Sequence, residues 1–365
     1  MNLGRGDSLT LMGKNTAEED LGAGVTLLER ARSGDEDAFA ELVEPHRGEL
    51  RAYCYRMLGS VQDADDAAQS ALLRAWRGLA AFEGRSSVRS WLYAIATNAA
   101  LDITRHRSRR ELPVGFGPAS SADAEFEAAV TDPVWLEPYP ERWLSQSDPE
   151  SPEARYELRE SVELAFMVML QRLPPQQRAV LILRDVLGFS AADAAAHLGV
   201  SVAAVNSALQ RARTAARAEQ PGHSQQAVLR SLGEGRVARL AHQYADAIEA
   251  GDVETLLDML TEDATWSMPP FPNWFTGHDA LRAWLVKDPL PLRWRHHQAT
   301  VNGQLAVGCY LFDQDAGDFL PYVIDVLTLS PDGKIAAVTA FLLTADREPG
   351  EFFAAFGLPA HAPQP

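Results

Sequence analysis

Hydrophobic and polar positions repeat in two different ways along the chain. Within residues 24–110 and 161–218, apolar residues recur every three to four positions, which places them on one face of an α-helix. Beyond residue 236, after two helical segments, apolar and polar residues alternate, and turn signals such as Asn302-Gly303 separate the runs. The pattern predicts two all-α domains followed by an α+β domain with a curled antiparallel sheet.

Segments without either period divide the 365-residue chain. They are rich in Gly, Pro or acidic residues, a composition that does not bury enough apolar surface to fold alone. The predicted division is a disordered N-terminus (1–23), a first helical domain (24–110), an acidic linker (111–160), a second helical domain (161–218), a short linker (219–235), an α+β domain (236–345) and a C-terminal tail (346–365).

Two aromatic clusters fall inside the predicted linker and tail. The acidic linker contains Trp135, Leu136, Tyr139 and Trp143, which are too apolar for a free coil, so we expect them to dock on a neighbouring domain. The tail carries three phenylalanines between positions 352 and 356. These rings are expected to be buried either on the helical domains or linker, which would give intramolecular control, or on their own domain.

The second helical domain ends in a helix-turn-helix pattern. Ser190 and Gly199 fit the N-cap and the left-handed end of one short helix, and Ser201 fits the N-cap of a second helix from Val202 to Ala218. The second helix would be about 25 Å long, and it has one apolar and one polar side. That size suits the major groove of DNA. From this stretch alone, an αα-hairpin in any helical bundle is the alternative.

Charge and cysteine content narrow the function classes. The net charge of −17 disfavours contact of the whole chain with DNA, but both helical domains are mildly basic, and only these are candidates for phosphate contacts. The only cysteines, Cys54 and Cys309, exclude a disulfide framework and a thiolate metal cluster, and we expect neither a cofactor nor a metal. With no apolar run of membrane-spanning length and no signal-peptide pattern, we expect a cytoplasmic protein without a membrane partner.

Two blocks of residues, one in each helical domain, carry a family resemblance. They are Phe39, Leu42, Asp63 to Asp66, Gln69, Ala75-Trp76, Trp91-Leu92, Ile95-Ala96 and Asn98, then Leu173-Pro174, Gln177-Arg178, Gly199-Val200-Ser201 and Arg211-Ala212-Arg213. With both blocks in this order, residues 24–217 resemble a bacterial sigma factor of the extracytoplasmic-function group. The resemblance implies a subunit that binds core RNA polymerase, at its clamp coiled coil and flap, and directs promoter recognition and transcription initiation.

The resemblance also implies roles for individual side chains. Polymerase contacts would come from Asp63, Asp65, Asp66, Gln69 and Arg74. The unpaired minus-ten strand would be captured near the basic helix predicted from Val88 to Arg110, by Arg85, Ser86, Asn98, Arg105 and Arg107. The minus-thirty-five element would be read in duplex form by Ser201, Asn206, Ser207, Gln210, Arg211 and Arg213. Asn and Gln suit adenine edges, and Arg suits guanine or phosphate.

The C-terminal part carries a second resemblance. Residues 236–344, with the segment from Trp266 to His278, resemble a SnoaL-like polyketide-cyclase domain, a cone-shaped α+β barrel. In this setting it implies regulation by intramolecular contact or by sensing a small-molecule ligand. The candidate ligand pocket consists of Trp266, Trp274, His296, Tyr310 and Asp325. His296 and His297 are adjacent in a predicted strand, so only one of them faces the cavity.

Two other functions fit parts of the sequence. A transcription module fused to a SnoaL-like enzyme would convert a small molecule with an Asp/His pair in the cone. An ordinary dimeric repressor would bind palindromic DNA through the helix-turn-helix, but it has no use for an acidic, tryptophan-bearing helix. Because a lone histidine with a distant aspartate is no established acid–base pair, we expect no catalysis and assign no catalytic residue.

Overall fold

The structure is a computed structural model. It describes residues 27–121, 123–130, 135–145, 152–219, 223–343 and 348–362. The predicted disordered N-terminus, 1–23, therefore lies outside the described residues. Among the described residues, no helix combines the length and the apolar character needed to cross a membrane.

The first helical domain has the predicted helices. They are α1 over residues 27–32, α2 (Glu36–Leu58), α3 (Val61–Gly78) and α4 (Val88–Thr104). Gly59 ends α2 in the left-handed region with φ 68°, and the hydroxyls of Ser60 and Ser87 cap α3 and α4. The predicted extension of α4 to Arg110 is wrong. The chain leaves the helix after Thr104, and the Arg110 guanidinium is buried 2.6 Å from the Asp63 carboxylate, a pairing that a continuing helix does not make.

The acidic linker contains two short helices and docks on its neighbours. These helices are α5 (Glu141–Ser145) and α6 (Pro152–Glu160). The expected burial of the linker aromatics is confirmed: Tyr139 is fully buried with its ring 4.4 Å from that of Tyr55, and the Arg51 guanidinium lies over the Trp143 ring.

The second helical domain contains the predicted helix-turn-helix. Its helices are α7 (Leu164–Arg172), α8 (Pro175–Leu181) with a π-helical turn (Ile182–Val186), α9 (Ala191–Leu198) and α10 (Val202–Glu219). Ser190 and Asp193 form a capping box at the start of α9, and Gly199 ends it with φ 63°. Both local signals in the sequence therefore act as predicted.

The short linker predicted over 219–235 is wrong in part, because it contains helix α11 (Gln225–Leu232). Ser224 caps this helix, and Val228 is buried in the core of the C-terminal domain. The Gln225 side chain also exchanges two hydrogen bonds with the backbone of Leu329. The helix is thus part of the C-terminal domain.

The C-terminal domain packs three further helices and a terminal helix on one six-stranded sheet. The helices are α12 (Glu234–Ala250), α13 (Val253–Met259), α14 (His278–Lys287) and α15 (Pro349–Ala355). The strands are β1 (Leu260–Ser267), β2 (Trp274–Thr276), β3 (Trp294–Val301), β4 (Gln304–Asp313), β5 (Asp318–Leu329) and β6 (Ile335–Leu342).

The sheet is mixed rather than antiparallel throughout. Its order is β2-β1-β6-β5-β4-β3, with β1 and β6 parallel and the other neighbours antiparallel. After β2 the chain crosses to the far edge, and β3 to β6 return as a meander. Strand β6 therefore arrives beside β1 in the same direction.

The two faces of this sheet belong to different cores. The inner face packs on α11 to α14 and includes Trp266, Val307, Cys309, Leu327 and Val338. The outer face joins the cluster that forms the cores of both helical domains, and it includes Ala306, Tyr310, Ile324, Val326 and Phe341. The tail occupies both of the places left open for it. Phe353 packs on Tyr310 of its own domain at 5.0 Å, and the Ala354 carbonyl accepts from Arg142 of the linker at 3.0 Å.

Candidate functional site

Helix α10 presents a polar face to solvent. Its apolar side, with Val205, Leu209 and Ala212, is buried against α8 and α9. The Ser201 hydroxyl caps the helix by accepting from Ala204 N at 3.2 Å, and Arg213 forms a bidentate ion pair with Asp185. The predicted minus-thirty-five residues on the exposed face are Ser201, Asn206, Ser207, Gln210, Arg211 and Arg213.

The acidic face of α3 is only partly available to a partner. Asp66, Gln69 and Arg74 are exposed, whereas Asp65 is half-buried and pairs with Arg51 at 2.8 Å. Arg74 also pairs with Asp102, which lies on α4.

The prediction that Asp63 contacts polymerase is contradicted by its surroundings. Its carboxylate is 6% exposed and pairs with Arg110 at 2.6 Å and Arg107 at 3.3 Å. A buried carboxylate needs such partners, so Asp63 holds the domain together rather than facing outward. Sequence reasoning missed Leu73, an apolar side chain 58% exposed, which lies one and two turns after Gln69 and Asp66 on the same helix face.

The predicted minus-ten residues lie in the α3–α4 loop, on α4 and just after its end. Arg85, Ser86 and Asn98 are exposed. Arg105 and Arg107 are also exposed. All three arginines already have acidic partners, since Arg85 pairs with Glu83, Arg105 with Asp102 and Arg107 with Asp63. The loop arginine at position 85 is the most exposed of them, at 84% of its side chain.

The two helical domains contact each other directly. Helix α4 packs on α9, where the Ser90 hydroxyl lies 2.9 Å from His197 Nε2 and the Tyr93 ring lies 5.1 Å from that of Phe189. Burial lowers the pKa of His197, which favours the neutral imidazole in this contact.

Buried arginines reinforce this contact. Arg178 of α8 donates to the carbonyl oxygen of Met57 at the end of α2, and also to Gln171 and Leu173. Arg56 donates to Ser161 Oγ at the start of the second domain. Burial lowers the pKa of Arg178 to about 10, so the group is still charged at neutral pH.

One residue of the C-terminal domain touches both helical domains and the linker. Asn302 lies in the β3–β4 turn with φ 54° and is fully buried. Its Nδ2 donates to the Val162 carbonyl at 2.7 Å and to the Tyr55 hydroxyl at 3.0 Å, while its Oδ1 accepts from Tyr139 N at 2.8 Å. Asn302 N donates in turn to the Tyr139 carbonyl. The sequence marked this residue as a turn former, and nothing local indicated its partners.

The inner face of the sheet borders a partly open cavity of about 260 Å³. Of the predicted pocket residues, Trp266, His296 and Asp325 line it. Trp274 and Tyr310 do not. Trp274 lies in edge strand β2 and donates to the Gly117 carbonyl in the acidic linker, and Tyr310 lies on the outer face, where its hydroxyl donates to the Pro359 carbonyl at 2.9 Å. Strand alternation gives the inner position to Cys309 instead.

Comparison with known proteins identifies the families of the three domains. Models of Sigma-70 region 2, Sigma-70 region 4 and a SnoaL-like domain match residues 42–110, 163–215 and 241–338. The ECF RNA polymerase sigma factor SigG of Mycobacterium tuberculosis is 40% identical over 334 residues, which are 90% of this chain and 85% of that protein. The ECF RNA polymerase sigma factor SigW of Bacillus subtilis is 29% identical over 190 residues, 52% of this chain and 92% of that protein.

A solved structure shares the fold over most of the chain. The extracytoplasmic function sigma factor SigJ of Mycobacterium tuberculosis matches with a TM-score of 0.51 and 22% identity, over 86% of this chain and 97% of that one. At this identity the likeness shows the fold, and the SigG relative shows the family. The chain belongs to the extracytoplasmic-function sigma factors of RNA polymerase, and a SnoaL-like domain follows its two sigma regions.

Proposed function

We propose that this sigma factor engages core polymerase and two promoter elements through the exposed faces of α3, α4 and α10, and that its SnoaL-like domain holds the two sigma regions together until polymerase separates them. The observation that carries the proposal is the buried Asn302 side chain, which hydrogen-bonds to Tyr55 in the first sigma region and to Val162 at the start of the second. A turn in the C-terminal domain thereby connects both.

The distance between the promoter elements supports a closed and an open form. Their names place them about 25 base pairs apart, which is about 85 Å of duplex at about 3.4 Å per base pair. In the structure, α4 touches α9 through Ser90 and His197. Helix α10, the next helix after α9, is only about 27 Å long. The observed arrangement does not span both elements, so binding to a promoter requires the regions to move apart.

The exposed residues define the contacts that we propose for the open form. Asp66 and Gln69, with the apolar Leu73 beside them, would face the clamp coiled coil of polymerase, and the second sigma region would contact the flap. Clusters of polar residues around an apolar side chain are common at protein interfaces. Arg85 and Ser86 would meet the unpaired minus-ten strand, where a cation and hydrogen-bonding groups suit phosphates and flipped bases.

The polymerase contact is tested by Asp66→Arg. Charge reversal on an exposed face should weaken binding to core polymerase by about tenfold or more, since like charges then meet across the interface. Asp258→Arg makes the same charge change on an exposed position of α13 in the C-terminal domain and serves as the control. Fluorescence anisotropy of the labelled chain with core polymerase measures both. Equal affinities for the two variants would refute this assignment of α3.

The promoter contact is tested by Arg211→Ala. Loss of a base contact should cost about 1–3 kcal/mol of binding to the minus-thirty-five element and leave binding to scrambled DNA little changed. Alanine at Arg217, another exposed arginine in the last turn of α10, is the matched control. Equal losses on both DNAs would show that Arg211 touches only phosphate.

A further inference from the structure

We propose that the cleft between the two sigma regions binds a diphosphate group, carried by free pyrophosphate or by a nucleotide, and that the bound anion stabilises the closed arrangement. The binding site stands apart from the promoter function, whereas its effect on opening rests on the closed form proposed above. Three observations support the site: the arginines that line the cleft, a buried guanidinium without an acidic partner, and the two sides from which the arginines come.

Arginines dominate the lining of this cleft. It has a volume of about 260 Å³ and lies between the ends of α2 and α4 on one side and the α7–α8 connection on the other. Of the described residues, one acid, Asp63, and four arginines line it: Arg107, Arg109, Arg172 and Arg178. Asp63 is already shared by Arg107 and Arg110, so it does not balance the other charges. A cleft with this excess of positive charge attracts anions.

Arg178 is buried without an acidic partner among the described residues. It is 5% exposed, and its four hydrogen bonds go to uncharged acceptors, the carbonyl oxygens of Met57, Gln171 and Leu173 and the side-chain oxygen of Gln171. Its Nε has no hydrogen-bond partner in the same part of the chain. Burial, and after it the charge of Arg109, lowers the pKa of Arg178 to about 10. Because a buried charge is costly unless an opposite charge compensates it, an anion in the cleft would stabilise this side chain.

The arginines at the end of α4 keep donors for a ligand. Arg107 and Arg109 contact their acidic partners, Asp63 and Glu111, through Nη2. A guanidinium carries five N–H donors in a planar fork. The Arg107 side chain is 48% exposed and the Arg109 side chain is 51% exposed. Donors on both are therefore accessible to a further anion.

The placement of the arginines favours two linked phosphates over one. Arg107 and Arg109 follow α4 in the first sigma region, whereas Arg172 and Arg178 lie on α7 and α8 in the second. A guanidinium binds a phosphate through two parallel hydrogen bonds, so each side of the cleft suits one phosphate. One water molecule needs only about 10–15 Å³ of such space. The cleft therefore has room for more than a single phosphate, and a diphosphate supplies both groups in one molecule.

The cleft exists only while the two sigma regions lie together. Leu58 and Arg109 belong to the first region, and Leu173 and Arg178 belong to the second. An anion that contacts both sides binds the closed arrangement better than the open one. By linkage, it stabilises the closed arrangement and opposes the separation that polymerase and promoter require.

Calorimetric titration of the full chain in a phosphate-free buffer tests the site. The probes are pyrophosphate, inorganic phosphate and ADP. Pyrophosphate should bind about tenfold more tightly than inorganic phosphate, because only the diphosphate engages both sides. Equal or tighter binding of ADP assigns a nucleotide as the source of the diphosphate, and weaker binding of ADP assigns free pyrophosphate. Absence of pyrophosphate binding, or equal affinity for inorganic phosphate, would overturn the assignment.

Arginine substitutions locate the site. Arg109→Ala and Arg172→Ala remove one exposed cation from each side of the cleft, and each should weaken pyrophosphate binding about tenfold. Arg105→Ala is the matched control, because Arg105 is exposed in the same segment as Arg109 but does not line the cleft. Its affinity should equal that of the wild type. Equal losses in all three variants would show a general effect of charge and place the anion elsewhere.

A single-stranded hexathymidylate distinguishes a small anion from nucleic acid. It carries phosphodiesters without a diphosphate, so it should bind more weakly than pyrophosphate, and Arg172→Ala should not change its affinity. Tighter binding than that of pyrophosphate, lost in both Arg109→Ala and Arg172→Ala, would identify the cleft as a contact for a nucleic-acid backbone and overturn the diphosphate.

Binding to core polymerase tests the coupling. Saturating pyrophosphate should weaken the binding of the labelled wild type to core polymerase severalfold and leave that of Arg109→Ala little changed, as measured by fluorescence anisotropy. Unchanged affinity of the wild type, despite bound pyrophosphate, would overturn the coupling and leave the site standing. Because the titrations contain neither polymerase nor promoter DNA, failure of the site is distinct from failure of the promoter function.

Discussion

The two faces of the SnoaL-like sheet differ in what covers them. The outer face is filled: Tyr310 and its neighbours join the cores of both sigma regions, and Gly308 lies so close to Leu358 that a Cβ there would meet its side chain at 2.6 Å. The inner face borders a cavity, and within the described part of the chain some of its buried polar atoms, among them Asp325 Oδ1, have no hydrogen-bond partner. The outer face of the sheet is thus packed against the sigma regions, and the inner face borders a cavity.

The difference between the two faces predicts which substitutions disturb the sigma regions. Contacts through the outer face hold the sigma regions, because they include buried hydrogen bonds whose loss leaves partners unsatisfied. On the inner face, Phe126 of the linker lines the cavity. Substitutions on the outer face should therefore change the arrangement of the sigma regions more than substitutions on the inner face do.

The largest effect is expected from Asn302→Ala. It leaves the Val162 carbonyl and Tyr139 N without the partner that Asn302 provides in a buried place and removes one of the two hydrogen bonds of the Tyr55 hydroxyl, and it should lower the free energy of unfolding by about 3 kcal/mol. Chemical denaturation measures this. Asn302→Gly is the control for the backbone, because glycine adopts the observed φ of 54° without strain.

If Asn302→Gly were as stable as the wild type, the side-chain hydrogen bonds of Asn302 would contribute nothing to stability, and the outer face would lose its structural role.

On the inner face, Ala340→Phe fills existing space and should change the free energy of unfolding by less than about 1 kcal/mol. A larger loss there than in Asn302→Ala would reverse the distinction between the faces.

A smaller effect is expected from Tyr55→Phe. Its hydroxyl donates to the Glu137 carbonyl at 2.7 Å and accepts from Asn302, so its removal should cost about 1–2 kcal/mol and speed proteolysis of the linker. Tyr53→Phe is the matched control, because the Tyr53 hydroxyl is equally buried but bonds to Thr97 within the first sigma region. Equal rates of linker cleavage in both variants would contradict the connecting role of Tyr55.

The smallest effect is a pH dependence at Glu163. Its carboxylate accepts the amides of Gln225 and Gln226 at the start of α11, and burial raises its pKa to about 7 from 4.5. The folded form therefore holds this proton to higher pH than the unfolded form does. The free energy of unfolding should fall by about 1 kcal/mol between roughly pH 6 and pH 8.

Glu163→Gln removes the titration and should flatten this part of the stability curve, measured by urea denaturation across the same range. A wild-type stability that rises with pH over this interval, relative to the variant, would show that the carboxylate is held in its charged form instead.

Local signals account for the parts of the fold that the sequence predicts well. Ser190 and Gly199 specify the ends of α9 through capping and left-handed geometry, which involve only neighbouring residues. The exposed face of α10 follows from helical periodicity in the same way, and Asn206 and Gln210 lie on it as predicted.

Pairing over long sequence separations accounts for what sequence reasoning missed. Asp63 has the features of an exposed acidic residue in the first turn of a helix, but Arg110, 47 positions later, pairs with its carboxylate. Asn302 meets partners up to 247 positions away. The prediction placed Tyr310 on the wrong face of the sheet. The face of a strand residue depends on the alternation along its strand, and the pairing of β4 with β5 shifts register between Cys309 and Tyr310. No local pattern encodes these contacts.

The distance between the two sigma regions tests the closed arrangement most directly. Dyes on Glu41→Cys in α2 and Ala218→Cys in α10 report this distance by energy transfer, and both sites are exposed. The native thiols of Cys54 and Cys309 do not compete for the dyes, because both are buried. Burial raises the pKa of Cys54 to about 12 and also raises the pKa of Cys309. We predict one short distance in the free wild type, and a distance longer by tens of ångströms with core polymerase and, without polymerase, in Asn302→Ala. The same distance in all three samples would contradict the proposal that the SnoaL-like domain holds the sigma regions together.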